Sequence, residues 1–248
     1  MKGLILAAGK GSRLNPITND RPKAMVEING IPLIIRTIES LIANDIHQIG
    51  IVLGYMGDYI RDYIGATWKN ASITYIENPE YETTNNMVSF YAAKEYMDED
   101  IVLCECDVIV DEDTMRKVVA SAGECTILVS PFNSQIMDGT VIEVNDDKAI
   151  SLILGKWQNK NIDYSMMKKT VNIYRFEKNF LQYKLLPQIS TFLTAYDKNN
   201  YYEVALGGLI YYRMSDIRVV EISEDKWFEI DNVEDLNRAA KILKEKQQ

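Results

Sequence analysis

The chain has 248 residues, with 27 Lys and Arg against 36 Asp and Glu, a formal net charge of −9, and 47% hydrophobic residues. Those are globular proportions, so disorder, collagen and coiled coil are poor readings. The acidic balance argues against general nucleic-acid binding, which needs a basic face to displace counterions. No apolar run approaches the ~18 residues of a membrane span, so neither nucleic acid nor membrane is an expected partner. Three cysteines, Cys104, Cys106 and Cys125, form no CxxC pair, and His47 is the single histidine. This composition points to a reducing cytoplasm and leaves little material for zinc or histidine-based catalysis.

In chain order, Leu4–Ala8 is a short apolar run bounded by glycine and reads as a buried strand. Pro32–Ala43 carries Ile34, Ile38, Leu41 and Ile42 at helical spacing, with Pro32 suited to a first turn. Strands are expected over Ile49–Leu53, Ile73–Ile76 and Ile101–Cys106, and helices over Tyr59–Ile64, Asn86–Tyr96 and Asp113–Ala122. This alternation predicts a parallel sheet covered by helices. Past residue 124 strands dominate: Thr126–Val129, Thr140–Val144, Ala149–Leu154 and Thr170–Tyr174, then a helix over Phe180–Tyr196 and strands over Val219–Ile222 and Trp227–Ile230. Val233, Leu236, Ala240 and Leu243 mark a final amphipathic helix. No Pro- or Ser-rich linker and no internal repeat divides the chain.

The most informative segment is Leu6-Ala7-Ala8-Gly9-Lys10-Gly11-Ser12-Arg13-Leu14, followed by Pro16 and Arg21-Pro22-Lys23. Glycines after a buried strand let backbone N–H groups approach phosphates. Ser12 adds a hydroxyl and Arg13 a bidentate cation. Two other phosphate loops fail here, because Gly11 is not followed by Lys and position 14 is Leu rather than Gly. The whole string resembles the signature of the nucleotidyltransferases that make nucleoside-diphosphate conjugates. The resemblance implies a Rossmann-like α/β fold, with a mixed, mostly parallel sheet flanked by helices and a smaller acceptor-binding portion. It also implies that the loop wraps a triphosphate and that Lys23 neutralises the α-phosphate, with Arg13 beside it. We expect a single domain over 1–248: a nucleotide-binding core over 1–130, an acceptor-binding portion over 131–225, and a metal-site strand with closing helix over 226–248.

Asp107 follows the apolar strand Ile101–Cys106, where ligands of open α/β sheets collect, and either is placed to hold Mg²⁺ or is a turn or cap aspartate. Glu105 reads as structural. Asp231 and Glu234 have the spacing of a helix capping box; the resemblance instead makes Asp231 the second Mg²⁺ ligand. Thr84 and Asn85 precede the helix expected from Asn86, where they either cap it or meet a pyrimidine edge, and Asn86 and Ser89 of the same segment are counted with them on the nucleotide side. That Asn-Asn segment and Lys169–Tyr174 look most like the phosphocholine and 2-aminoethylphosphonate cytidylyltransferases. Lys169 and Asn172 would then meet the acceptor, and Asp138 would reach the same pocket. Tyr201, Tyr202 and Trp227 with Glu203 and Glu229 either supply aromatic faces and carboxylates for an ammonium group or, for the aromatic rings, pack in the core, the more frequent fate of such residues.

The expected activity is thus Mg²⁺-dependent transfer of CMP from CTP to a small phosphonate or phosphomonoester, by a monomer or homodimer. A sugar-1-phosphate nucleotidyltransferase using UTP, dTTP or GTP, and a nucleotide-binding regulator without turnover, are the alternatives.

Overall fold

A computed structural model describes residues 1–135, 137–159 and 161–245. Of the closing unit expected over 226–248, residues 246–248 lie outside the described residues. The first half runs β1 (Lys2–Ala7), β2 (Glu27–Ile28), β3 (Ile31–Pro32), α1 (Leu33–Ile42), β4 (Gln48–Leu53), α2 (Gly57–Ile64), β5 (Thr67–Trp68), β6 (Ala71–Glu77), α3 (Asn86–Ala92), β7 (Ile101–Glu105), β8 (Val108–Val110) and α4 (Glu112–Val119). The second half runs β9 (Cys125–Pro131), β10 (Val141–Asn145), β11 (Lys148–Ile153) and β12 (Lys168–Phe176). It continues with α5 (Lys178–Phe180), α6 (Leu186–Ala195), α7 (Glu203–Tyr211), β13 (Ile217–Glu221), β14 (Trp227–Glu229) and α8 (Val233–Glu245).

Ten strands form one mixed sheet in the order β10-β11-β13-β9-β12-β7-β1-β4-β6-β5. The expected parallel arrangement holds over β7-β1-β4-β6, where Leu6 lies opposite both Val52 and Glu105. The carboxyl ends of β1, β4 and β7 therefore finish together, which places the glycine loop and Asp107 at one edge. β12 inserts antiparallel between β7 and β9, with Ile173 opposite Cys104. Reversal of this strand brings its start, with Lys168 and Lys169, to the same edge as the end of β7.

Side chains alternate across the sheet. Ile5 and Ala7 join one core cluster with Ile34, Ile38 and Met115; Leu4 and Leu6 join the opposite one with Phe90, Phe176 and Leu206. A third cluster of Leu14, Ile28, Leu33, Ile109, Phe228 and Ile230, with Ala239 of α8, lies beside the sheet's carboxyl edge. Burying Ile230 completely stabilises that corner by roughly 1.5–3 kcal/mol, and Ile230 is flanked in sequence by Glu229 and Asp231. The helix α7 has no sequence counterpart among the expected elements: its Glu203-Val204-Ala205-Leu206-Gly207-Gly208-Leu209 stretch is apolar around its whole circumference and shows no helical period.

Candidate active site

The glycine loop is held from three sides. Ala8 accepts a hydrogen bond from the Tyr55 N–H at 3.0 Å, and the Gly11 carbonyl accepts from the Leu14 N–H and the Thr18 hydroxyl, both at 2.9 Å. Gly11 has φ 72°, and a Cβ there would lie 2.6 Å from the Cβ of Lys23. Its lack of a side chain thus allows both the left-handed turn and the close passage of Lys23. Gly9 is different: an added Cβ would meet nothing within 4 Å. Gly11→Ala is expected to lower Tm by on the order of 5 °C through strain and to lower activity with it. Gly9→Ala should leave Tm unchanged and weaken nucleotide binding, because its methyl group would project into the open cavity that Gly9 lines. Thermal melts with and without nucleotide separate the two.

Lys23 is 8% exposed. Its ammonium donates to Asp107 Oδ2 at 2.6 Å and to Asp231 Oδ1 at 2.9 Å, and Arg13 donates to the same Asp231 oxygen at 2.8 Å. Burial alone would lower the Lys23 ammonium; the charges of Asp107 and Asp231 and its hydrogen bonds to them outweigh burial and raise it above its ordinary value. Burial works to raise Asp231, and Lys23 and Arg13 reverse that, leaving it below the usual carboxylate range. The two aspartates meet because β14 pairs antiparallel with β8, Glu229 opposite Val108, and the Ile230 N–H donates to the Asp107 carbonyl at 3.0 Å. Asp231 is not the helix cap that its spacing suggested. Asn232 Oδ1 accepts from the Glu234 and Asp235 N–H groups at 2.9 and 3.0 Å, so the cap lies one residue on and the Asp231 carboxylate faces Lys23.

Two adjoining cavities meet over this cluster and share Arg13, Asn86, Glu105, Asp107, Tyr201 and Asp231. The first, of about 360 Å³, is lined by Leu6, Ala8, Gly9, Gly11, Ser12 and Lys23, and across from them by Thr84, Asn85 and Ser89. Ala7 is 1% exposed, its side chain lies in the core on the opposite face of β1 from Leu6, and it is not among the residues that line this cavity. Asn85 caps α3, its Oδ1 accepting from the Asn86 N–H at 2.9 Å, and the Thr84 hydroxyl donates to the Glu80 carbonyl at 2.7 Å. Asn78 and Tyr81 also line this cavity; sequence reasoning passed over both because they sit in an irregular segment after β6.

The second cavity, of about 440 Å³, takes in Asp138, Lys169, Asn172, Glu203 and Glu229. A register shift in β12 between Thr170 and Tyr174, with Asn172 at φ 57°, lets the Asn172 amide donate to Glu229 Oε1 at 3.3 Å. Lys169 is 2% exposed; it donates to the Thr170 carbonyl at 2.9 Å and lies 3.3 Å from Glu229 Oε2. Two expected members of an aromatic cage are elsewhere. Tyr202 is fully buried against Phe90 and Tyr174, and its hydroxyl donates to Glu105 Oε1 at 3.0 Å. Trp227 lines a neighbouring groove and carries the Lys169 ammonium 5.7 Å from its ring centroid. Glu105, read as structural, lines both cavities and also accepts from the Asn86 amide at 3.1 Å. Lys156, near Tyr201, is a lining residue that sequence reasoning did not single out.

Burial raises the Glu203 and Glu229 carboxyls to about 7, against an ordinary 4.5. A hydrogen bond from Asn86 and the charge of Lys169 offset only part of this for Glu203. For Glu229 the charge of Lys169 pulls down, while Asp107 and Asp231 push further up. Between pH 4.5 and 7 the folded protein holds protons at these groups that the unfolded chain has released. Stability present below 4.5 is therefore lost as pH rises through 7. The ligand-free protein should melt lower at pH 8 than at pH 5.5, and Glu203→Gln should shrink that difference.

A glycine loop with a left-handed turn at Gly11 thus stands opposite two aspartates that share the Lys23 ammonium. The chain matches the nucleotidyl transferase family over residues 2–245 and belongs to it. It is thus an enzyme of nucleotidyl transfer. It is 27% identical over 240 residues to the CMP-5'-(3-aminopropyl)phosphonate synthase of Streptomyces rubellomurinus, covering 96% of this chain and 38% of that protein. It is 28% identical over 256 residues to the CTP:phosphoglutamine cytidylyltransferase of Campylobacter jejuni, covering 95% and 98% respectively. The fold is shared with the solved CTP:phosphocholine cytidylyltransferase from Streptococcus pneumoniae, at TM-score 0.75, 22% identity and 98% coverage of both chains. No helix among the described residues is long and apolar enough to cross a membrane.

Proposed function

We propose that this chain is a Mg²⁺-dependent cytidylyltransferase that transfers CMP from CTP to a small phosphonate or phosphomonoester, 2-aminoethylphosphonate and phosphocholine being the leading acceptors, and releases pyrophosphate. The observation that carries the proposal is the Lys23–Asp107–Asp231 cluster at the junction of two cavities. The loop cavity would take the nucleotide and the β12 side the acceptor. The relatives named for CMP and CTP chemistry support cytidine over other bases.

The residues present fit a magnesium ion. Asp107 Oδ1 is buried and has no hydrogen-bond partner, while Oδ2 is held by Lys23. Asp107 and Asp231 are the two carboxylates that would hold it. Among the described residues no group of three or more acidic, histidine or cysteine side chains is gathered for a metal, so phosphate oxygens and water would complete the shell, as Mg²⁺ prefers. When bound, the ion supplies charge neutralisation to the triphosphate.

The acceptor oxygen is already ionised at neutral pH and needs no general base. It forms a bond to the α-phosphorus as the bond from that phosphorus to the bridging oxygen breaks, and the electron pair leaves with pyrophosphate. The work left to the protein is alignment and charge stabilisation. Lys23 and Arg13 provide the cations, Gly9, Gly11 and Ser12 the phosphate cradle, and Thr84, Asn85, Asn86 and Ser89 the wall facing the base. Lys169 and Asn172 orient the acceptor-side carboxylates. Pyrophosphate release from CTP, UTP, dTTP and GTP, each with phosphonates, phosphocholine and sugar 1-phosphates, tests the reading. CTP with a small acceptor is the expected productive pair; turnover confined to UTP, dTTP or GTP with a sugar phosphate would overturn it.

A further inference from the structure

We propose that Glu203 binds a primary ammonium group of the acceptor and makes this site prefer a primary amine over a quaternary one; the inference rests on the transferase reading above. Glu203 begins α7, is 4% exposed, and lines the cavity that also holds Asp107. Its Oε2 is buried and has no hydrogen-bond partner. A buried carboxylate oxygen left unpaired is costly. The nearby cation does not meet the need, because Lys169 donates to the Thr170 carbonyl and pairs with Glu229. The Asn86 amide is shared with Glu105. A ligand donor entering the cavity would satisfy the oxygen, and a cationic donor would also give Glu203 the counter-charge that Lys169 gives to Glu229.

An R–NH₃⁺ group carries three N–H donors and can give one to Glu203. A trimethylammonium has none and depends on aromatic faces. This cavity is poor in them. The Tyr202 ring is in the core, the Trp227 ring is outside and lies beneath Lys169, and Tyr201 already has the Lys156 ammonium 5.2 Å from its ring centroid.

The test measures binding of three acceptors of equal anionic charge by calorimetry: 2-aminoethylphosphonate, its N,N,N-trimethyl analogue, and 2-hydroxyethylphosphonate. The primary amine should bind at least about tenfold more tightly than either of the others, a difference of ~1.4 kcal/mol. In Glu203→Gln, which keeps an acceptor oxygen but loses the charge, the preference should shrink to within about threefold. Equal or better binding of the trimethyl or hydroxyl compound by the unaltered protein overturns the proposal, whether or not the variant folds. A folded variant that keeps the full preference overturns it as well. Because binding needs no turnover, amine preference without pyrophosphate release would instead overturn the transferase reading.

Discussion

Lys23→Ala is expected to lower kcat by on the order of 10²–10³, equivalent to ~3–4 kcal/mol of transition-state stabilisation, while CTP binding should weaken less. The cation sits between Asp107 and Asp231 at hydrogen-bond distance from both, and the phosphates would enter at that point. Its removal also leaves the partly buried Asp107 carboxylate without its cation, while Asp231 keeps Arg13; loss of one partner of a buried pair costs up to about 3–5 kcal/mol. The variant should therefore melt lower than the parent in metal-free buffer, and Mg²⁺ should raise its Tm by more than it raises that of the parent. Steady-state kinetics and metal-dependent melts read the two effects separately. Near-normal turnover would remove Lys23 from the chemistry, and an unchanged metal response would remove the carboxylate pair as the metal site.

Asp107→Asn and Asp231→Asn should each reduce Mg²⁺-dependent turnover by about 10³ or more, with the fold retained. In either variant Lys23 keeps one carboxylate partner, so the corner held by Ile230 and α8 stays in place. The result at Asp231 is interpretable because the cap of α8 belongs to Asn232; a loss of activity there cannot be ascribed to an uncapped helix. Activity as a function of Mg²⁺ concentration, alongside far-ultraviolet circular dichroism, checks the expectation. Full activity in Asp231→Asn at ordinary Mg²⁺ would assign that side chain to charge pairing with Lys23 and Arg13 alone.

The parts of this site that were legible in the sequence are those whose chemistry is local. The glycine loop and the aspartate beyond β7 each lie within a few residues of a strong apolar strand, so their place at a sheet edge follows from the strand itself; Lys23, more than a dozen residues past the end of β1, was legible only through the resemblance. Asp231 was legible only as one of two alternatives, because a cap and a ligand share the same spacing and the choice depends on a three-residue pairing of β14 with β8. Tyr202 was misplaced for a related reason. α7 is apolar on every side and contains two adjacent glycines, so no periodicity revealed which of Tyr201, Tyr202 and Glu203 would turn inward. The result is that Tyr201 and Glu203 line the cavity and Tyr202 fills the core. The alternation of β1 sends the Leu6 side chain toward the cavity and that of Ala7 away from it, so Ala7 could offer the site only backbone groups. Thr18, Asn78 and Tyr81 left no readable signal, since their roles arise from contacts between loops.

The most direct test of the account follows the phosphorus atoms. Phosphorus-31 NMR of the protein with CTP, Mg²⁺ and 2-aminoethylphosphonate should show the phosphonate resonance becoming coupled to a single new phosphate resonance, as inorganic pyrophosphate appears in equal amount. That pattern requires a bond between the acceptor oxygen and the α-phosphorus of CTP. Formation of CDP with a phosphorylated acceptor, or of CMP and pyrophosphate with the phosphonate unchanged, would contradict nucleotidyl transfer to this acceptor.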